Sequence, residues 1–269
     1  MARIFYILLS ALLLTSCSEF QKALKTDDVK IKYEVATKLY DKEKYYKAIR
    51  LFEQIAQSYR GKQQAEKLFY MYSMSLYKTK TYHTASYQFE SFVAQYPKST
   101  KVEEAAFLGA KSYYFLSPRY SLDQVDTYKG LEKIQSFIDA YPNSQYMPEA
   151  NQLVKELREK LEKKAFEIAK QYRQTAEYFG DYNAAIKSFD NFLLDFPGSI
   201  YKEDALFIRF DASYELAVNS VSYKMEERLK AAKDNYSALI KFKSETKYKE
   251  QADKMLAKID TELQNFSKK

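Results

Sequence analysis

The 269-residue sequence predicts an all-α protein, an α-solenoid of about five helix-turn-helix repeats. Three observations carry this. Glycine and proline total ten, too few for a fold with many tight turns. Apolar residues recur at spacings of 4, 3 and 4, the period of one buried helix face. That frame returns along the chain as Ala48-Phe52-Ile55-Tyr59, Ala85-Phe89-Phe92-Tyr96, Gly130-Ile134-Phe137-Tyr141, Ala185-Phe189-Phe192-Phe196 and a weaker Ala232-Tyr236-Leu239.

The N-terminus comes first in order. Arg3 precedes an apolar run from Ile4 to Leu14, too short at about 1.5 Å per residue to cross a bilayer core of about 30 Å. Residues 1–16 therefore predict a secretory signal peptide. The stretch Leu14-Thr15-Ser16-Cys17 resembles the bacterial lipobox, so Cys17, the single cysteine, is the expected lipidation site. Residues 17–28 are polar and ending in Asp27-Asp28, and they predict a lipidated tether. Membrane attachment is expected through the lipid anchor only.

The repeats follow. Three frames end in Tyr96-Pro97, Tyr141-Pro142 and Phe196-Pro197, where proline stops the helix. Ser99, Ser144, Ser199 and Thr246 each stand six residues before an alanine, as caps or turn residues of the next helix, whose first turns hold Glu103, Glu149, Glu203 and Glu250. The second copy, Glu66 to Ser99, fits the tetratricopeptide (TPR) pattern with Phe69, Tyr72, Ser73, Leu76, Tyr82, Ala85, Phe89 and Pro97. Repeats 1–3 are expected over 29–146 and a long turn-free connecting helix over 147–178. Repeats 4–5 with a closing helix fill 179–269.

Several classes of chemistry are excluded. One cysteine and one histidine make neither a disulfide framework nor a zinc site of the usual ligand count. The five glycines never come closer than 18 positions, so no phosphate-cradling glycine motif exists. The net charge of +7 is spread among interleaved acids, against the concentrated basic track that nucleic acid requires. His83 has no ligating partner in a motif. Glu103-Glu104 and Glu226-Glu227 are adjacent on helices and point apart, so they cannot flank one bond. No cofactor, no metal and no catalytic residue is expected.

The lipobox, the three-plus-two repeat division, the segment Pro118-Arg119-Tyr120-Ser121-Leu122-Asp123-Gln124-Val125-Asp126-Thr127 and the ending Tyr141-Pro142-Asn143-Ser144-Gln145-Tyr146 together resemble the BamD family. The resemblance covers essentially the whole mature chain. It implies an outer-membrane, lipid-anchored scaffold on the periplasmic face, consistent with Ser18 in place of an inner-membrane retention Asp. It also implies that the C-terminal repeats hold a POTRA domain of BamA, and that the N-terminal repeats receive nascent outer-membrane β-barrel proteins by their aromatic C-terminal signal. For the BamA contact the residues selected are Asp181, Tyr182, Lys187, Asp195 and the loop from Gly198 to Lys202, with Tyr201 and Lys202 foremost in it. Two departures lie in this half: one extra helical turn between Ala169 and Gly180, and an insertion of about eight residues at Asn219 to Glu226.

For the client groove, the TPR rule for the concave face selects Lys30, Tyr33, Thr37 and Tyr40 from the first repeat. It selects Lys67, Tyr70, Met74, Tyr77 and Lys78 from the second, and Phe107, Lys111, Tyr114 and Phe115 from the third. Rings would bury a terminal aromatic and Lys67, Lys78 or Lys111 would neutralise its carboxylate. The same tyrosines could instead pack between neighbouring repeats. A periplasmic TPR lipoprotein that organises cell-wall or division machinery is the second functional reading.

Overall fold

The computed structural model describes residues 19–267 as twelve helices with no strand among them. A short helix, α1, spans 19–25. It is followed by α2 (Val29–Asp41), α3 (Tyr45–Tyr59), α4 (Ala65–Lys78), α5 (Tyr82–Gln95), α6 (Val102–Leu116) and α7 (Val125–Ala140). A 33-residue α8 (Met147–Phe179) leads to α9 (Tyr182–Asp195), α10 (Lys202–Val218), α11 (Ser222–Phe242) and α12 (Lys249–Ser267). Each helix packs on the next as in TPR-like solenoids.

The chain forms two compact units that divide between Leu157 and Arg158, inside α8. In the first, the repeat frames supply a core in which Ala48, Leu51, Phe52, Ile55, Leu68, Ala85 and Phe89 are completely buried. Phe107, Ile134, Phe137, Ala150, Leu153 and Leu157 continue it between α6, α7 and the start of α8. In the second, Phe166 and Ala169 of α8 meet Phe189, Phe192 and Ala205, and α10 to α12 close around Phe210, Leu229, Leu239 and Ile259. Small residues occur where helices come closest. A Cβ on Gly109 would meet the Phe89 Cβ at 3.1 Å.

The helix ends follow the turn chemistry. α5, α7 and α9 stop immediately before Tyr96-Pro97, Tyr141-Pro142 and Phe196-Pro197, since proline has no amide hydrogen to give the next turn. Pro148 falls in the first turn of α8, where no such hydrogen is needed. Two turns from the first to the second helix of a repeat carry Glu43 (φ 56°) and Lys80 (φ 60°), and a third carries Gly180 (φ 72°).

One expectation changes. The polar stretch read as a tether is helical over 19–25, and its Phe20 and Ala23 are buried against the first repeat, at 4% and 0% exposure. Phe20 and Ala23, one turn apart, seat the helix together with the partly buried Leu24. The insertion at Asn219 to Glu226 is mostly helix: α11 has 21 residues where α5 and α9 have 14. Cys17 and the signal segment lie outside the described residues.

Candidate functional site

One clasp recurs at four turns. Ser99, Ser144, Ser199 and Thr246 each accept a hydrogen bond from the amide two residues on, at 3.0, 3.0, 2.8 and 3.3 Å. Their hydroxyls donate to Glu66, Glu103, Glu162 and Glu203 on the first helix of the same repeat, at 2.6, 2.5, 2.5 and 2.7 Å. Four residues after each of the last three acids, a ring stacks on the aromatic two residues after the hydroxyl: Phe107 on Tyr146 at 4.6 Å, Phe166 on Tyr201 at 4.7 Å and Phe207 on Tyr248 at 3.9 Å.

The second repeat departs from this pattern, and the departure builds the site. At the equivalent positions stand Tyr70 and Lys101, with the Lys101 Nζ 5.3 Å from the ring centroid. A lysine cannot fill the space of a stacked ring. Here a cleft of about 420 Å³ is lined by Tyr40, Asp41, Gln63, Glu66, Lys67, Tyr70, Met71, Phe92 and Lys101. Lys101 is paired with Glu104 at 2.9 Å, whereas Lys67 is exposed and makes no ion pair among the described residues. Burial and Glu104 push the Tyr70 hydroxyl far up. Burial, then Tyr45, Glu104 and Asp41, push Tyr40 up to about 12. Both are neutral hydrogen-bonding groups at any physiological pH, so lysine supplies the cleft's positive charge and Asp41 and Glu66 its negative charge.

Of the groove residues selected by the TPR rule, the cleft brings together Tyr40, Lys67 and Tyr70. The others are placed elsewhere. Phe107, 2% exposed, and Met74 are core residues, because the stacking and the helix packing need their volume. Tyr33 stacks on Tyr59 at 5.1 Å. Tyr77 packs among Tyr82, Phe89 and Phe115. Lys111 is held by Glu149 at 2.5 Å, and the Tyr114 hydroxyl donates to Glu156 at 2.5 Å. Thr37 returns its hydroxyl to the Tyr33 carbonyl. Lys30 and Lys78 are exposed at opposite ends of their helices, α2 and α4. Lys101, Gln63 and Phe92 were absent from the selection. The signal for Lys101 was available, since it alone breaks the Ser-x-Tyr or Thr-x-Tyr pattern.

In the second unit Asp181 caps α9 by accepting from the Asn183 amide. Lys187 and Asp195 are exposed. Tyr182 is buried with Ala176, Ala185 and Ala212 under the Arg173 guanidinium, and Tyr201 is half-buried in its stack; neither presents a free ring. Lys202 lies over Phe242 and donates to the Pro197 carbonyl. Leu194 and Ile200 are nearly four-fifths exposed; Ile200 lies within the selected loop 198–202, and Leu194 was absent from the selection. The segment Leu122-Asp123-Gln124 closes a loop: buried Gln124 donates to the carbonyls of Arg119 and Leu122 and accepts from the Thr127 hydroxyl.

Paired helices repeated along the chain, clasped at their turns and with a tyrosine- and lysine-lined cleft on the first helices, define a TPR-type helical-repeat protein. A model of the outer membrane lipoprotein family YfiO, the BamD family domain, matches residues 25–225, and the chain belongs to that family. This is a family of scaffold lipoproteins of the outer-membrane assembly machinery and not a known enzyme family. A search of curated proteins returned no match. No helix among the described residues is long and apolar enough to cross a membrane.

Proposed function

We propose that this protein is a non-enzymatic, Cys17-lipidated scaffold on the periplasmic face of the outer membrane. Its first unit receives the C-terminal segment of nascent β-barrel proteins, and its second unit holds a POTRA domain of BamA. The observation that carries the first part is the cleft at Tyr40, Lys67, Tyr70 and Lys101. It offers ring faces for an aromatic side chain and an unpaired ammonium group for a terminal carboxylate.

Lys67 is the position to test, because it is exposed, whereas removing Tyr70 or Tyr77 also removes packing against Phe92 or Phe89. Lys67→Glu should weaken binding of a synthetic peptide that ends in phenylalanine with a free carboxylate by roughly tenfold, about 1.4 kcal/mol. Amidating the peptide should weaken binding to the unaltered protein equally and have little further effect on the variant. Binding indifferent to both changes removes the cleft from the reading.

For the second unit, Lys187, Asp195 and Lys202 with the neighbouring Leu194 and Ile200 are the proposed contact. Reversing Lys187 and Lys202 together, or Ile200→Asp, should reduce recovery of a POTRA-containing barrel protein from detergent-solubilised envelopes. Recovery of murein enzymes in its place would favour a cell-wall scaffold.

A further inference from the structure

The described chain begins against one edge of the first repeat. Glu19, at the start of α1, pairs with Lys38 at 3.0 Å. The Phe20 ring lies 5.4 Å from the Lys47 Nζ and 5.9 Å from the Arg50 guanidinium carbon. Glu19 and Phe20 share a small cleft with Lys38, Leu39, Lys42 and Lys44. Since α2 ends at Asp41 and α3 starts at Tyr45, this edge is the α2–α3 turn. It gathers five cations, Lys38, Lys42, Lys44, Lys47 and Arg50, against three carboxylates, Glu19, Asp41 and Glu43. Tyr46, the second residue of α3, projects from it with 73% of its surface exposed.

Cys17 is two residues before Glu19, and two residues of chain span at most about 7 Å. Acyl chains on Cys17 thus bring the α2–α3 turn within about one Debye length of the lipid headgroups. A free tether would have let the repeats swing away from the membrane. The helix that replaces it, seated by Phe20 and Ala23, does not. We infer that the α2–α3 turn docks on an anionic phospholipid surface, with Lys42, Lys47 and Arg50 toward the headgroup phosphates and Tyr46 in the interface. Basic side chains beside an amphipathic ring are the chemistry that such a surface attracts. This rests on the Cys17 anchor and adds to it a second, protein-borne contact.

The test uses the full lipidated chain. Cys17 is the only native cysteine, so with its sulfur joined to the diacylglyceryl group, Tyr46→Cys offers one thiol for an environment-sensitive fluorophore. The labelled protein is reconstituted into vesicles of phosphatidylcholine, alone or with one-third phosphatidylglycerol. The expected result is flotation with both, and a blue shift of emission with the anionic vesicles. A label at Ser58→Cys, exposed about 18 Å further along α3, should stay aqueous. Lys42→Glu with Lys47→Glu should abolish the shift and leave flotation and helix content unchanged. If the protein floats and the label at 46 stays as aqueous as that at 58, the docking is overturned and the anchor stands. A shift that is equal in neutral vesicles and survives the charge reversal overturns the headgroup contact. Failure of the full chain from lipidating cells to float overturns the anchor and the docking with it.

Discussion

At the scale of single residues, Glu203 joins three donors from one turn. It accepts from the Lys243 ammonium at 2.8 Å, the Thr246 hydroxyl at 2.7 Å and the Lys247 amide at 2.9 Å, and these donors, Lys243 foremost, hold its pKa near 2 against an ordinary 4.5. A depressed carboxylate stabilises the fold fully above the ordinary value and loses that contribution as pH falls through the folded one. The clasp at Thr246 should therefore weaken between about pH 4.5 and pH 2. Glu203→Gln should lower stability at pH 7 by about 1 to 2 kcal/mol, and its melting temperature should fall less steeply with acid than that of the unaltered chain. Lys80 illustrates the opposite case. Its φ of 60° is a conformation that costs an L side chain about 1 kcal/mol, so Lys80→Gly should be neutral or slightly stabilising in thermal melts, although glycine usually destabilises.

At the scale of helices, the closeness of α5 to α6 and of α6 to α7 depends on two glycines that differ in kind. An alanine at either gains about 1 kcal/mol of helix propensity. At 109 the new Cβ meets the Phe89 Cβ at 3.1 Å, an atom that moves only with its backbone. At 130 it meets the end of Leu157 at 3.2 Å, which can rotate away, and the Tyr113 carbonyl at 3.4 Å. Overpacking costs about 1 to 3 kcal/mol, so it outweighs propensity at 109 and roughly cancels it at 130. Gly109→Ala should lower the denaturation midpoint and Gly130→Ala leave it nearly unchanged; equal effects would contradict the packing described.

At the scale of the whole molecule, the anchor proposed at Cys17 would decide where the scaffold works. On that proposal Cys17→Ser removes the thiol that would receive the lipid, and with it about 0.8 kcal/mol for each methylene buried in the bilayer. The variant should accumulate as an uncleaved or soluble form, seen by detergent phase partition and by its size on gels. Family membership places the chain with outer-membrane lipoproteins, and the chain folds as two compact units.

The helices, their stops and the turn-free stretch that forms the interior of α8 were legible because periodicity, proline and hydroxyl signals act within a few residues of chain. Tyr40, Lys67 and Tyr70 were legible for the same reason, as positions on helices of a known repeat. The sequence marks Lys101 as the exception to the pattern, but it did not by itself determine which of the equivalent aromatics would border a cleft. Phe107 and Tyr70 hold the same place in successive repeats, yet one is buried under Tyr146 and the other borders a cleft beside Lys101. That depends on residues 39 and 31 positions away, across turns whose lengths vary. The clasps likewise join hydroxyls to carboxylates 33, 41, 37 and 43 residues apart. Insertions between repeats change such separations without changing the contact, so only the tertiary packing, which brings each turn back over the first helix of its own repeat, decided them. The burial of Phe20 belongs to the same class: its partners, Lys47 and Arg50, come from the next repeat element and not from its own polar neighbours.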